Sequence, residues 1–147
     1  MKSEPNECSI DDALAAPKQT VPWIGVRNYQ ARNFMRDSMR VGDGVLFYHS
    51  SCAEPGIAGL ARVASKSKPD VTQFDPKSPY FDTKSNPADP RWALVDVQAV
   101  RKTRLLNLPE LRAQPKLAEL LVLKKGNRLS ITPVDALHWQ FINKLLA

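Results

Sequence analysis

Short apolar runs along the chain predict four β-strands. Residues 45–49 are almost entirely apolar, residues 57–63 form a second run, and residues 92–100 alternate between apolar and polar side chains. Residues 129–131 are a short fourth candidate. The pattern therefore predicts several short strands and no long one.

Capping signals predict two helices in the first third of the chain. Ser9 and Asp12 have the spacing of a capping box, which indicates a short helix that ends before Pro17. Asn28 is a suitable N-cap for a longer helix that reaches about residue 39. The apolar face of this second helix would consist of Ala31, Phe34, Met35 and Met39.

A third helix is predicted at the end of the chain. Thr132 is a capping residue, Pro133 suits the first turn, and Asp135 supplies an acid three residues on. The predicted buried face of this helix comprises Val134, Leu137, His138, Phe141 and Leu145.

A proline-rich segment separates the second and third predicted strands. Five prolines within residues 69–90 exclude a regular helix or strand there. A loop of this length in a compact domain is usually either functional or disordered, and we expect this one to be ordered. We expect it to hold or cover something.

The 147 residues suit one domain, 43% of them hydrophobic and 24% charged. The longest stretch without a charged residue is residues 44–53, too short to span a bilayer, so no membrane association is expected. The first residues do not resemble an export signal, and Cys8 and Cys52 are expected to be free thiols. We expect a cytoplasmic protein, monomeric by default.

The charge is positive and unevenly distributed. The net charge is +6, residues 1–20 are acidic on balance, and residues 101–128 carry eight basic and two acidic side chains. Arg32, Arg36 and Arg40 also recur at four-residue intervals, where like charges repel unless a partner neutralises them. This distribution favours a polyanionic partner.

Motifs for metal or cofactor chemistry are weak. His49 and Cys52 have a two-residue spacing, but no second close pair would complete a zinc site. The chain has no phosphate-binding glycine loop and no dinucleotide fingerprint. We therefore expect no metal, no cofactor and no enzymatic activity.

Aromatic and amide side chains cluster in residues 23–30. Trp23 and Tyr29 are able to stack on a planar ligand, and Asn28 and Gln30 offer hydrogen-bond donors and acceptors. Residues 48–51 form a second polar and aromatic set at the end of a predicted strand.

At these segments the chain resembles the EVE domain family. The resemblance is carried by residues 2–5 (KSEP) and 25–33 (GVRNYQARN) and continues through residues 47–50, 55–57, 78–80, 91–92, 128–130 and 132–134. It covers essentially all of residues 1–147 and implies one domain with an α+β, PUA-like fold. Such a fold is a strongly curved, mostly antiparallel sheet or pseudo-barrel flanked by helices, similar to YTH, ASCH and SRA-type domains.

The resemblance implies a reader of a modified base, most simply 5-methyl- or 5-hydroxymethylcytosine in DNA rather than RNA. The base would leave its stack and enter an aromatic and polar pocket. The implied pocket residues are Ser3, Trp23, Val26, Arg27, Asn28, Tyr48, His49, Ser50, Tyr80 and Ser130. Of these, Trp23 or Tyr48 would stack on the base, Asn28 would read its edge, and Tyr80 would act as a lid. The implied phosphate contacts are Arg32, Arg36, Lys124, Lys125 and Arg128.

The resemblance also implies a short apolar strand before Lys2, where this chain has only Met1. We therefore expect that family strand to be missing or truncated. A missing strand would open an edge of the sheet and leave Ser3 loosely held.

Two other functions remain open on the sequence. A hydrolase acting on a modified nucleoside would use Lys2 and Glu4 as a base or cation and His49 as a proton carrier. A sensor of a free nucleotide or other small molecule would use the same pocket but would leave the basic surface unexplained.

Overall fold

A five-stranded sheet forms the centre of the computed structural model, which describes all residues from 1 to 147. The strands are β1 (Lys2–Ser3), β2 (Thr20–Pro22), β3 (Gly44–His49), β4 (Gly56–Val63) and β7 (Asp96–Asn107), in the order β1-β3-β4-β7-β2. Only β1 and β3 are parallel. A two-stranded ribbon pairs β5 (Lys68–Pro69) with β6 (Ala93–Leu94).

Register shifts curl this sheet. One lies between Phe47 and Tyr48 in the pairing of β3 with β4, and two more interrupt the pairing of β4 with β7. Each irregularity bends its strand and increases the local twist. The sheet is therefore a strongly curved, mostly antiparallel half-barrel.

The central strand β3 is buried on both faces. Val45 and Phe47 belong to one apolar core, whereas the alternating residues Leu46 and Tyr48 belong to a second one. Because successive side chains of a strand point to opposite faces, β3 separates the two cores. The second core also receives the C-terminal helix through Ile142.

The helices are short. They are α1 (Pro5–Cys8), α2 (Ile10–Ala15), α3 (Tyr29–Asn33), α4 (Leu108–Arg112) and α5 (Ala136–Leu146), and a π-helical turn (Phe34–Ser38) continues α3. The predicted capping box of α2 is confirmed, as is Asn28 as the N-cap of α3. No helix has the length and apolarity needed to cross a bilayer.

Two predicted strands differ from the observed ones. The strand expected over residues 92–100 breaks after β6, and β7 then continues to Asn107. In this continuation Thr103 and Leu106 are buried, while Arg101, Lys102 and Arg104 face solvent. Residues 129–131 form no strand. Their one backbone-to-backbone hydrogen bond is that in which Ser130 O accepts the Lys2 N–H at 2.8 Å.

The last helix begins later than predicted. Asp135 is its N-cap and accepts the His138 N–H at 2.8 Å, so the helix starts at residue 136 rather than after Thr132. Its buried positions are Ile142 and Leu146, one residue out of phase with the predicted face, and Leu137 is 77% exposed.

The expectation that Ser3 is loosely held is wrong. Tyr48 N–H donates to Met1 O at 3.0 Å and Ser50 N–H donates to Ser3 O at 2.9 Å, so β1 closes this edge of β3. The Ser3 hydroxyl also donates to Cys8 O at 2.6 Å. Ser3 is therefore fixed from both sides.

An apolar cavity of about 510 Å³ lies beyond Met1, lined in part by Leu46, Phe34 and Trp139. The Met1 amino group donates to Leu46 O at 2.9 Å, the bond that a peptide N–H would make if β1 continued. Burial lowers the pKa of this amino group from 8.0 to about 5. A buried amino terminus beside an apolar cavity destabilises the fold when it is charged.

We predict that an apolar extension before Met1 stabilises the protein. Three extended residues such as Leu-Val-Leu would replace the buried amine with a peptide N–H and fill part of the cavity, adding about 2 kcal/mol to the free energy of unfolding. Chemical denaturation of the extended and parent proteins measures the difference. A Gly-Ser-Gly extension is the control, and equal stability of the two extended proteins would contradict the prediction.

The parent protein should also lose stability as the pH falls from 8 towards 5. In this window the amino group binds a proton in the unfolded protein but not in the folded one. The free energy of unfolding therefore falls by up to about 1.4 kcal/mol for each pH unit. Burial also lowers the pKa of His49, so this side chain too lowers the free energy of unfolding as the pH falls. The difference between parent and apolar extension isolates the amino group, and parallel pH profiles would refute the assignment.

Candidate functional site

An open pocket of about 750 Å³ lies where the irregular segments of the chain meet. The start of the chain, the segment after β2, the β3–β4 turn, the proline-rich loop and the segment before α5 all contribute. Its walls consist of Lys2, Ser3, Glu4, Glu7, Cys8, Val21, Pro22, Trp23, Ile24, Gly25, Val26, Ser50, Ser51, Tyr80, Arg128 and Ser130.

Two aromatic side chains line the pocket. Trp23 is buried and packs edge-on against Phe47, with ring centroids 5.3 Å apart and an interplanar angle of 83°. The Tyr80 ring lies directly over Gly25, where a β-carbon would come within 2.5 Å of it. Gly25 has a φ of +83°, so the close approach and the backbone conformation both require glycine there.

A buried ion pair fixes the position of Tyr80. Arg27 Nη1 contacts Asp70 Oδ2 at 3.0 Å, and the same guanidinium donates to Tyr80 O through Nη2 at 2.7 Å. The Gly25 N–H also donates to Asp70 Oδ2, at 2.9 Å. One carboxylate and one guanidinium therefore join the wall at residue 25 to the proline-rich loop.

Asp70 stays ionised although its side chain is fully buried. Burial by itself would raise the pKa of Asp70, but hydrogen bonds from Thr72, Gly25 and Arg27 outweigh it and leave the pKa below its usual value. The ionised carboxylate accepts the hydrogen bonds from Gly25, Arg27 and Thr72 that hold the loop in place.

The far end of Tyr80 is also held. Its hydroxyl donates to Glu7 Oε1 at 2.5 Å. This hydrogen bond, together with burial, raises the pKa of Tyr80 to about 12, so the phenol is protonated at neutral pH. Tyr80 thereby connects the proline-rich loop to helix α1 across the pocket.

The pocket combines free donors with free acceptors. The Lys2 and Arg128 side chains have no carboxylate partner, and burial lowers the pKa of Lys2. Glu4 supplies an unpaired carboxylate, and the hydroxyls of Ser50 and Ser130 make no hydrogen bond within the protein. The arrangement suits a planar ligand whose edge both donates and accepts. No group of three His, Cys, Asp or Glu side chains is placed to hold a metal ion.

Comparison with known proteins identifies the family to which the chain belongs. The family model described as the EVE domain matches residues 1–145. The chain belongs to the EVE domain family. It is 42% identical to human thymocyte nuclear protein 1, and the match covers 99% of this chain and 72% of the human protein.

Solved structures of EVE domain relatives share the fold. A protein from Pseudomonas putida superposes with a TM-score of 0.95 at 47% identity, covering 100% of this chain and 97% of that one. Human THYN1, solved in complex with 5-methylcytosine-containing DNA, gives a TM-score of 0.91 at 42% identity, covering 99% and 94%. The expected PUA-like architecture of the EVE domain is confirmed.

The EVE domain brings most of the implied base-binding residues together. Those that line the pocket are Ser3, Trp23, Val26, Ser50, Tyr80 and Ser130, joined by Arg128 from the implied phosphate contacts. Tyr80 lies over the pocket wall at Gly25 and is fixed by Arg27 and Glu7, and its role as a lid stays a prediction.

Tyr48 and His49 do not line the pocket. Tyr48 points to the opposite face of β3 and is buried in the second core, so it is not a stacking wall for a base in this pocket. His49 Nε2 accepts the Ile10 N–H at 3.1 Å, and its ring packs edge-on against Phe47. Both side chains stabilise the scaffold.

Asn28 and Arg27 act on the pocket only indirectly. Asn28 was expected to read a base edge, but it does not line the pocket, and its side-chain oxygen caps α3 by accepting the Ala31 N–H at 3.0 Å. Arg27 holds Asp70 and Tyr80 and is not itself part of the pocket lining.

The remaining implied phosphate contacts lie outside the pocket. Arg32 donates to Arg91 O and to Asn33, Arg36 pairs with Asp37, and Lys124 pairs with Glu119. Lys125 is exposed and unpaired. None of these four side chains lines the pocket.

Sequence reasoning missed three important residues. Lys2 and Glu4 line the pocket, but they were assigned only to the hydrolase alternative. Their place in the KSEP segment, which carries the family resemblance, was the signal that could have identified them. Asp70 is one of several acidic residues in a polar loop, and nothing in its neighbourhood reveals that it is buried.

We predict that Arg27→Met releases the proline-rich loop. Loss of the cation leaves a buried carboxylate uncompensated, which lowers the free energy of unfolding by about 3 kcal/mol. Lys77 and Lys84, exposed in the same loop, should become faster trypsin cleavage sites. Denaturation and limited proteolysis measure both effects.

Arg36→Met is the matched control, since Arg36 forms an exposed ion pair with Asp37 and should change neither quantity measurably. Equal proteolysis of the two variants would show that Arg27 does not hold the loop.

Proposed function

We propose that this EVE domain binds DNA and recognises a methylated cytosine held in the 750 Å³ pocket. The observation that carries the proposal is the human THYN1 complex with 5-methylcytosine-containing DNA, because that protein is 42% identical to this chain over the aligned residues and shares nearly the whole fold. The pocket volume lies within the roughly 300–1,000 Å³ typical of small-ligand sites.

The polar groups of the pocket match the edge of cytosine. The exocyclic amino group of cytosine is a donor, for which Glu4 and Glu7 offer carboxylate oxygens. Lys2 and Arg128 offer donors to the base carbonyl or to an adjacent phosphate. Thymine carries the same methyl group but presents a carbonyl in place of the amino group, and a carboxylate would repel it.

A base inside a duplex has to leave its stack to reach such a pocket. Extrusion costs a few kcal/mol, which stacking on aromatic side chains and hydrogen bonds to the base edge offset. Trp23 and Tyr80 supply the aromatic surface, and the net charge of +6 favours association with the phosphate backbone.

We further propose that the site binds without chemistry. The hydrolase alternative needs His49 as a proton carrier close to Lys2 and Glu4, but His49 lies outside the pocket lining and its Nε2 already accepts a backbone N–H. A turnover assay with modified nucleosides should give no product.

The proposal is tested by fluorescence polarisation at fixed near-physiological salt. Duplexes differing at one position would carry cytosine, 5-methylcytosine, 5-hydroxymethylcytosine or thymine opposite guanine, with matching RNA duplexes. Burial of one methyl group contributes about 0.8 kcal/mol, so 5-methylcytosine should bind at least about fourfold more tightly than cytosine. Thymine should bind more weakly than 5-methylcytosine although its mismatch opens more easily. Equal affinity across the panel would refute the proposal.

Removing the Arg128 charge should weaken binding to methylated and unmethylated duplexes alike. Arg128→Ala removes a cation at the pocket, so the slope of log K against log salt should become shallower by about 1. Lys144→Ala is the control, because Lys144 is an exposed, unpaired cation on α5 away from the pocket. Equal slopes for the two variants would exclude Arg128 from the interface.

A further inference from the structure

Tyr29 lies outside the pocket, yet its geometry is that of a stacking surface. Its ring packs face to face on Trp92, with centroids 4.8 Å apart and an interplanar angle of 18°. The residue nevertheless remains 51% exposed. One face of the ring is supported by Trp92, and about half of the residue's surface remains accessible to solvent.

The support beneath Tyr29 is rigid. The Trp92 indole N–H donates to Asp82 Oδ2 at 2.7 Å, and the backbone N–H and C=O of Trp92 both bond to the buried side chain of Gln73. Tyr29 itself is the first residue of α3, directly after the Asn28 cap. Neither ring has to be ordered when a ligand binds, which lowers the entropic cost of association.

A cation stands beside this stack. The Arg32 guanidinium lies 4.6 Å from the Tyr29 centroid and 6.0 Å from the Trp92 centroid. Hydrogen bonds to Arg91 O and Asn33 Oδ1 hold it there, and no carboxylate neutralises it. An aromatic face and an uncompensated cation in fixed positions suit a base together with its phosphate.

The stack is connected to the pocket through Arg27. Its guanidinium lies 5.4 Å from the Trp92 ring and 5.6 Å from the Tyr80 ring, and Tyr80 lines the pocket. Through these contacts the Tyr29 ring is within a few nucleotide steps of a base held in the pocket.

We propose that Tyr29, supported by Trp92 and flanked by Arg32, is a second nucleobase-binding site that stacks an unpaired base near the extruded one. This proposal rests on the proposed function, since it takes its ligand to be a nucleic acid whose stacking is locally broken. Every base has an aromatic face, so the platform adds affinity without reading sequence.

The test couples the protein side chain to one base of the ligand. Oligonucleotides carrying 5-methylcytosine would have each of the three neighbouring nucleotides on either side replaced in turn by an abasic site. For the unaltered protein, one such replacement should weaken binding about tenfold. Tyr29→Ala should bind the intact oligonucleotide about tenfold more weakly and lose nothing further when that base is removed.

Two further variants separate stacking from folding. Tyr29→Phe keeps the aromatic face and should bind like the unaltered protein. Tyr29→Leu covers Trp92 with an apolar side chain of similar reach and should bind like Tyr29→Ala. Leu137→Ala, at an exposed apolar position on α5, is the control and should change nothing.

The two proposals fail in different ways. If Tyr29→Ala and Tyr29→Leu bind every oligonucleotide like the unaltered protein, or weaken all of them equally, abasic ones included, the platform is excluded while methyl discrimination persists. If cytosine and 5-methylcytosine bind equally but the coupling to Tyr29 remains, the reader function fails and the platform stands. Absence of binding to any oligonucleotide overturns both.

Discussion

The ion pair between Arg27 and Asp70 determines how the functional half of the molecule is assembled. These residues are 43 positions apart, and their side chains meet where the Asp70 carboxylate is fully buried. A buried carboxylate with a missing partner is strongly destabilising, so the segment at Gly25 and the proline-rich loop have to be placed together. The pocket wall, Tyr80 and the Tyr29–Trp92 stack all depend on that placement, because one guanidinium contacts Tyr80 and Trp92.

The sheet supplies the frame on which this assembly stands. Strand β3 is buried on both faces and divides the interior into two cores, so its aromatic side chains serve packing. Polar groups that reach the pocket come mostly from turns and loops, which are free to present side chains without breaking a strand ladder. The pocket is therefore built at the edge of the half-barrel by five separate segments of the chain.

The sequence predicted what depends on local rules and missed what depends on long-range packing. The capping box at Ser9 and the cap at Asn28 are local hydrogen bonds, and both were predicted correctly. The start of α5 was misplaced because two capping signals, Thr132 and Asp135, stand three residues apart, and only the side-chain geometry decides between them.

For the pocket residues too, the sequence identified those that lie in or beside family segments and missed those whose placement depends on long-range packing. The family resemblance identified Ser3 and Tyr80, which lie in matching segments, and Trp23, which stands two residues before one. It also included Tyr48, which lies in a matching segment too but whose direction depends on the face of β3 to which it belongs. Asp70 leaves no trace in the sequence, since burial of a charged residue follows from partners far along the chain.

The three tryptophans provide the most direct test that this pocket is where DNA binds. Trp23 lines the pocket, Trp92 supports Tyr29, and Trp139 lines the apolar cavity at the other core. Their indole N–H resonances would be followed by NMR while the protein is titrated with a duplex containing 5-methylcytosine. The account predicts large shifts for Trp23, smaller ones for Trp92 and none for Trp139. A shift confined to Trp139, with Trp23 unchanged, would contradict it.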